Sequence, residues 1–148
     1  MDDNNNNKVS HGKYIEIAGS ILILISFFSS WVTMYGGRHT VLKGNYGDYS
    51  LAGVAAVFCN KETFPIALIL YALPILAVGH IIQKCYSKLP IMSVIVITYT
   101  LFIIIASLIL SNVVPNMFCE LHHGAFFAVL GVITIVFGMR TSRKQVRK

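Results

Sequence analysis

Charge is what this sequence has least of. Asp, Glu, Lys and Arg make up 12% of its 148 residues, against roughly 25% in a soluble domain. So few charges cannot clothe a water-facing surface of ordinary size, which excludes a soluble globular protein. Cysteine is equally sparse: Cys59, Cys85 and Cys119 stand far apart, with no Cys-x-x-Cys pair for thiol exchange. The chain has no His-Glu-x-x-His motif, no phosphate-cradling glycine loop and no serine–histidine–aspartate set. Asp48 and Glu62 are too far apart in sequence to suggest an acid–base pair. No enzymatic activity and no cofactor are expected.

What is present is apolar. The hydrophobic fraction is 55% and the mean hydropathy is +0.69. These residues gather into four runs, 14–34, 64–83, 91–110 and 117–139. Each has the roughly 20 residues with which a helix crosses a ~30 Å hydrocarbon core. The first run is longer than a signal-peptide core and ends in no small-x-small cleavage site, so it is expected to be retained. The expected fold is an all-α membrane protein, a four-transmembrane-helix bundle over residues 14–139. Residues 1–13, with their Asn run, read as a disordered head, and residues 140–148 as a basic tail.

The positive charges orient the bundle. Lys8, Lys13, Lys84, Lys88, Arg140, Arg143, Lys144, Arg147 and Lys148 fall on one side of a four-span arrangement. Only Arg38, Lys43 and Lys61 fall on the other. Cations are retained on the cytoplasmic face, so both termini are expected in the cytoplasm. Small size and compactness favour a prokaryotic plasma membrane. The basic tail is read first as an orientation signal and second as a contact for anionic lipid; nucleic acid is not an expected partner.

Within the runs, Glu16 is expected at the interface beside Lys13, and His80 in a last turn near Lys84. Neither lies at mid-bilayer, where an ionisable group marks an ion or proton pathway. Small and hydroxylated residues recur at heptad spacing instead: Gly124, Ala128, Gly131 and Gly138; Ser93, Thr100 and Ser107; Gly19, Ser26 and Thr33. Such stripes let helices approach closely, either inside one bundle or at a subunit interface. Pro74 is expected to kink the second span. Trp31, Tyr35, Tyr86 and Phe118 read as interfacial belt residues.

The long loop, 35–63, is expected to form a small outer cap. Strand-like residues 38–43 and turn residues 44–48 suggest a β-hairpin, and residues 49–58 a short interfacial helix. Claudin-like proteins share four spans and a structured first outer loop. Their Trp–Gly-Leu-Trp–Cys–Cys signature is absent, so the likeness is one of architecture. Cys59 and Cys119 are expected to form a disulfide across the outer loops, with Cys85 a free thiol on the inner side. Cys119-Glu120-Leu121-His122-His123 concentrates potential ligands, and His122 and His123, with Cys59 or His39, are weak metal candidates. A heme between paired His residues is excluded, because His80 lies at the opposite end of the spans.

These features favour a non-catalytic accessory or scaffold subunit of a membrane complex, whose partners are the bilayer and other membrane subunits or itself. The alternative is an oligomeric channel or permease for a small or lipophilic solute, lined by Ser93, Thr100 and Ser107 and hinged at Pro74. A third reading places thiol or metal chemistry on the outer face.

Overall fold

A computed structural model describes residues 11–35, 46–57, 59, 64–86, 90–113 and 118–146. Its elements run α1 (His11–Phe28), β1 (Ser30–Tyr35), β2 (Tyr46–Ser50), α2 (Leu51–Val57), α3 (Phe64–Tyr86), α4 (Ile91–Val113), β3 (Phe118–Leu121) and α5 (His123–Val146). Four helices, α1, α3, α4 and α5, are long and apolar enough to cross a membrane. Their outward faces are apolar and exposed, with Ile75, Phe102, Phe126, Ile133 and Phe137 among the most open. Those faces suit contact with lipid chains.

The first helix begins before the expected run and ends well before residue 34. At its end both the backbone N–H and the hydroxyl of Ser29 bond the Ile25 carbonyl, at 3.0 and 2.8 Å. The next residues, Ser30-Trp-Val-Thr, are aromatic and β-branched, types that favour extended backbone. They form β1 rather than a last helical turn. The fourth span shifts in the same way. Phe118–Leu121, expected inside the helix, is a strand, and α5 starts at His123 and runs into the basic tail.

The sheet has order β2-β1-β3, and both pairings are antiparallel. A hairpin is therefore present, but with its strands displaced. Its first strand is β1, the tail of the expected span, while residues 46–48 of the expected turn lie inside β2. The expected strand at 38–43 falls outside the described residues. The third strand comes from the other loop, with Thr33 opposite both Asp48 and Glu120. Ser50 caps α2 by accepting the Gly53 N–H at 3.1 Å. That short helix buries Leu51, Val54 and Ala55 against the core and leaves Ala56 exposed.

Because β1 follows α1 and β3 precedes α5, their pairing brings α1 and α5 together antiparallel. The His122 N–H closes this join on the Trp31 carbonyl at 2.9 Å. Glycines then let the two backbones touch. A Cβ at Gly19 would lie 2.7 Å from the Gly131 carbonyl oxygen, and one at Gly131 would lie 2.8 Å from that of Gly19. Gly12 and Gly138 form a second such pair, at 2.6 and 2.8 Å. Real Cβ atoms do not come so near backbone oxygen, so glycine is required at these four positions.

Candidate functional site: a buried polar cluster

The ends of the four spanning helices opposite the sheet meet around one carboxylate. Helical periodicity puts Gly12, Glu16, Gly19, Ser20 and Ile23 on one face of α1, and all five are buried. On α3 the buried stripe reads Leu73, Ala77, His80 and Lys84. Four residues apart, His80 and Lys84 project side by side. Ser93 enters from the first turn of α4, and Ser142 from α5. Glu16 is 2% exposed, His80 0% and Lys84 6%.

Every polar group in this cluster has a partner. Lys84 Nζ sits 2.8 Å from Glu16 Oε2, and the Ser93 hydroxyl donates to the same oxygen at 2.7 Å. Ser142 donates to Oε1 at 3.4 Å. His80 Nε2 is 2.9 Å from Ser93 Oγ and 3.6 Å from Glu16 Oε2. His80 Nδ1 lies 2.6 Å from Ser20 Oγ. Since Ser93 gives its only proton to the carboxylate, it accepts from the Nε2–H of His80. In the neutral ring Nδ1 then accepts from Ser20. One protonation pattern thus satisfies the whole chain from Ser20 to Lys84 and ties together α1, α3, α4 and α5.

The expected partner of Glu16, Lys13, is therefore replaced by Lys84 from another helix. Glu16 and His80 do sit one or two turns from their helix ends, as expected, but both face neighbouring helices and are buried rather than interfacial. Depth along the membrane normal was the wrong criterion, because a group one or two turns inside a helix is still buried when it faces the neighbouring helices. The signal was present in the sequence. Glu16 shares its helical face with Gly12 and Gly19, and His80 shares one with Leu73 and Ala77.

The other expected site residues serve different ends. Of the hydroxyl stripe, only Ser93 joins the cluster. Thr100 and Ser107 turn back to their own helix, bonding the Val96 and Ile103 carbonyls at 2.7 and 2.8 Å. Gly131 and Gly138 face α1, Ala128 is fully buried, and Gly124 lies against the Trp31 indole. Trp31 is not a belt residue. It is fully buried, and its indole N–H bonds the Ser26 carbonyl. Thr33, expected on the first helix, is in β1. Pro74 lies inside α3, where it removes the donor for the Leu70 carbonyl; nearby, the Tyr99 hydroxyl bonds the Ile69 carbonyl.

The Cys59–Cys119 bridge is not formed. Cys59 carries a free, exposed thiol, and the side chain of Cys119 lies outside the described ones. Cys119 is on β3, whereas Cys59 follows β2 and α2. Cys85 is free and exposed, at the cluster end. His122 Nε2 lies 3.3 Å from Asp48 Oδ1, and the His122 and His123 rings meet edge to face at 5.9 Å. Among the described residues no group of three or more His, Cys, Asp or Glu side chains is arranged to hold a metal ion.

Comparison with known proteins returns no match: no family model, no curated protein and no solved structure is significantly similar to this chain.

Proposed function

We propose that this protein is a non-catalytic membrane scaffold that acts by contact, as an accessory subunit of a larger membrane complex. The observation that carries the reading is how the cluster spends its polar groups. Glu16, His80, Lys84 and Ser93 are committed to one another, each side chain bonded to at least one other member. A fully satisfied buried network rigidifies a bundle and specifies one packing of its helices. The channel alternative has less support, because Thr100 and Ser107 are bonded to their own backbone. Contact then falls to the sheet end, where both loops fold into one layer edged by β2 and β3. The cation distribution supports placing the cluster end, with both termini, in the cytoplasm.

Extraction in mild detergent followed by native mass spectrometry tests the reading. Co-migration with other membrane subunits at fixed stoichiometry is the expected result. A chain that migrates alone and raises solute flux in liposomes overturns it. The orientation has its own reporters, because Cys59 and Cys85 are exposed at opposite ends. In single-cysteine variants, a membrane-impermeant maleimide should label Cys59 on intact cells and Cys85 only after permeabilisation.

A further inference from the structure

The face of the bundle between α4 and α5 carries a cleft of about 290 Å³, lined by Val94, Ile97, Thr98, Val136, Met139 and Arg140. It opens because α5 leans closely on α1 through its glycines and leaves α4 less tightly covered. Four of the six lining residues are apolar. Arg140 and Thr98 are not, and both are exposed. Arg140 stands near the end of the spanning part of α5 and has no ion-pair partner among the described residues. Thr98 lies about 10 Å along α4 from Ile91, at 1.5 Å per residue. Thr100, Ser107, Thr134 and Thr141 each bond a carbonyl of their own helix. Among the described Ser and Thr side chains of the spanning helices, Thr98 alone has no hydrogen-bond partner.

An unmatched donor facing hydrocarbon is costly unless a ligand satisfies it. We infer that the α4–α5 cleft is a binding site for one anionic phospholipid, with its phosphate on Arg140, its glycerol region against Val94, Ile97 and Val136, and an ester carbonyl on the Thr98 hydroxyl. The order of the groups matches that of the ligand: cation at the span end, apolar wall between, hydroxyl donor deepest. Guanidinium is suited to phosphate because its planar donors pair with two oxygens at once. The chemistry selects a lipid over a free phosphate, since most of the cleft wall is apolar. The inference stands apart from the scaffold reading and needs only that the helices span a bilayer.

The full chain, reconstituted in nanodiscs of equimolar phosphatidylglycerol and phosphatidylcholine, is released into native mass spectrometry and its lipid adducts are counted. Phosphatidylglycerol should be retained over phosphatidylcholine by roughly tenfold, because both offer a phosphate but the choline cation of the second is repelled by Arg140. Arg140→Gln should abolish that preference, and Val94→Trp, which fills the cleft from an exposed position, should lower retention of both lipids. Arg143→Gln with Lys144→Gln should leave the preference in place. A preference that survives Arg140→Gln overturns the site. So does one that the tail variant removes equally well, because a diffuse basic field and not a cleft would then be responsible. Thermal melting of each variant confirms that the bundle is intact, as the exposure of Arg140 and Val94 leads one to expect.

Discussion

The two ends of the bundle are closed by different means. At the cluster end, α1, α3, α4 and α5 converge on the Glu16 carboxylate, and Gly12 and Gly138 bring two of the backbones into contact. At the sheet end the same α1 and α5 are joined by β1 and β3, with Trp31 filling the space over Gly124. One closure is electrostatic and buried; the other uses backbone hydrogen bonds and an aromatic side chain. In lipid the hydrophobic effect does not drive helices together, so each end needs its own directional lock. The contrast teaches that one buried ion pair, Glu16 with Lys84, can join several helices at one end of a bundle.

That contrast predicts unequal responses to mutation. The largest should follow Glu16→Leu, which strands the Lys84 ammonium and takes away the acceptor of the Ser93 hydroxyl. Breaking a buried pair on one side costs about 3–5 kcal/mol, and loss of monodisperse protein on heated size-exclusion chromatography would show it. Glu16→Leu with Lys84→Met should recover much of the loss, since replacing both charges by apolar groups is often neutral. If the double variant were no better than the single one, the pair would have some role other than holding helices.

Next comes Gly131→Ala, for which a Cβ would lie 2.8 Å from the Gly19 carbonyl oxygen. Forcing α1 from α5 should cost about 1–3 kcal/mol and affect both ends, because this pair lies between the two locks. An effect of about 1–2 kcal/mol is expected for Trp31→Phe, which keeps an aromatic side chain but loses the N–H bond to Ser26 and leaves a small void. It should loosen the sheet end alone, seen as faster hydrogen exchange in β1 and β3 with α3 unchanged. Least of all is Ser107→Ala, a half-buried hydroxyl bonded to its own helix, at about 0.6 kcal/mol or below.

Much of this was legible beforehand, and the errors have a common cause. The four spans follow from length and hydropathy, quantities local to each segment. Where a span stops is a competition. Residues 30–34 are apolar enough to remain in a helix, and they become β1 because strands from two distant loops offer them hydrogen-bond partners on both edges. Cys59 and Cys119 share a side of the bundle by topology alone, and a shared side does not bring two thiols into bonding range. Glu16, His80 and Lys84 looked interfacial when judged by distance from the run ends. Judged by helical face, each falls on a buried stripe.

By itself the sequence determined that four apolar helices form, that most cations flank one end of them, and which residues share each helical face. Those properties depend on composition and on the 3.6-residue turn, and neither requires knowledge of a neighbour. The tertiary structure decided which faces meet: Gly19 with Gly131, Glu16 with Lys84, β1 with β3. Such pairings join residues more than sixty positions apart. They are chosen by the backbone separation that glycine permits and by the cost of leaving a buried charge alone, and both quantities exist only once the helices are side by side.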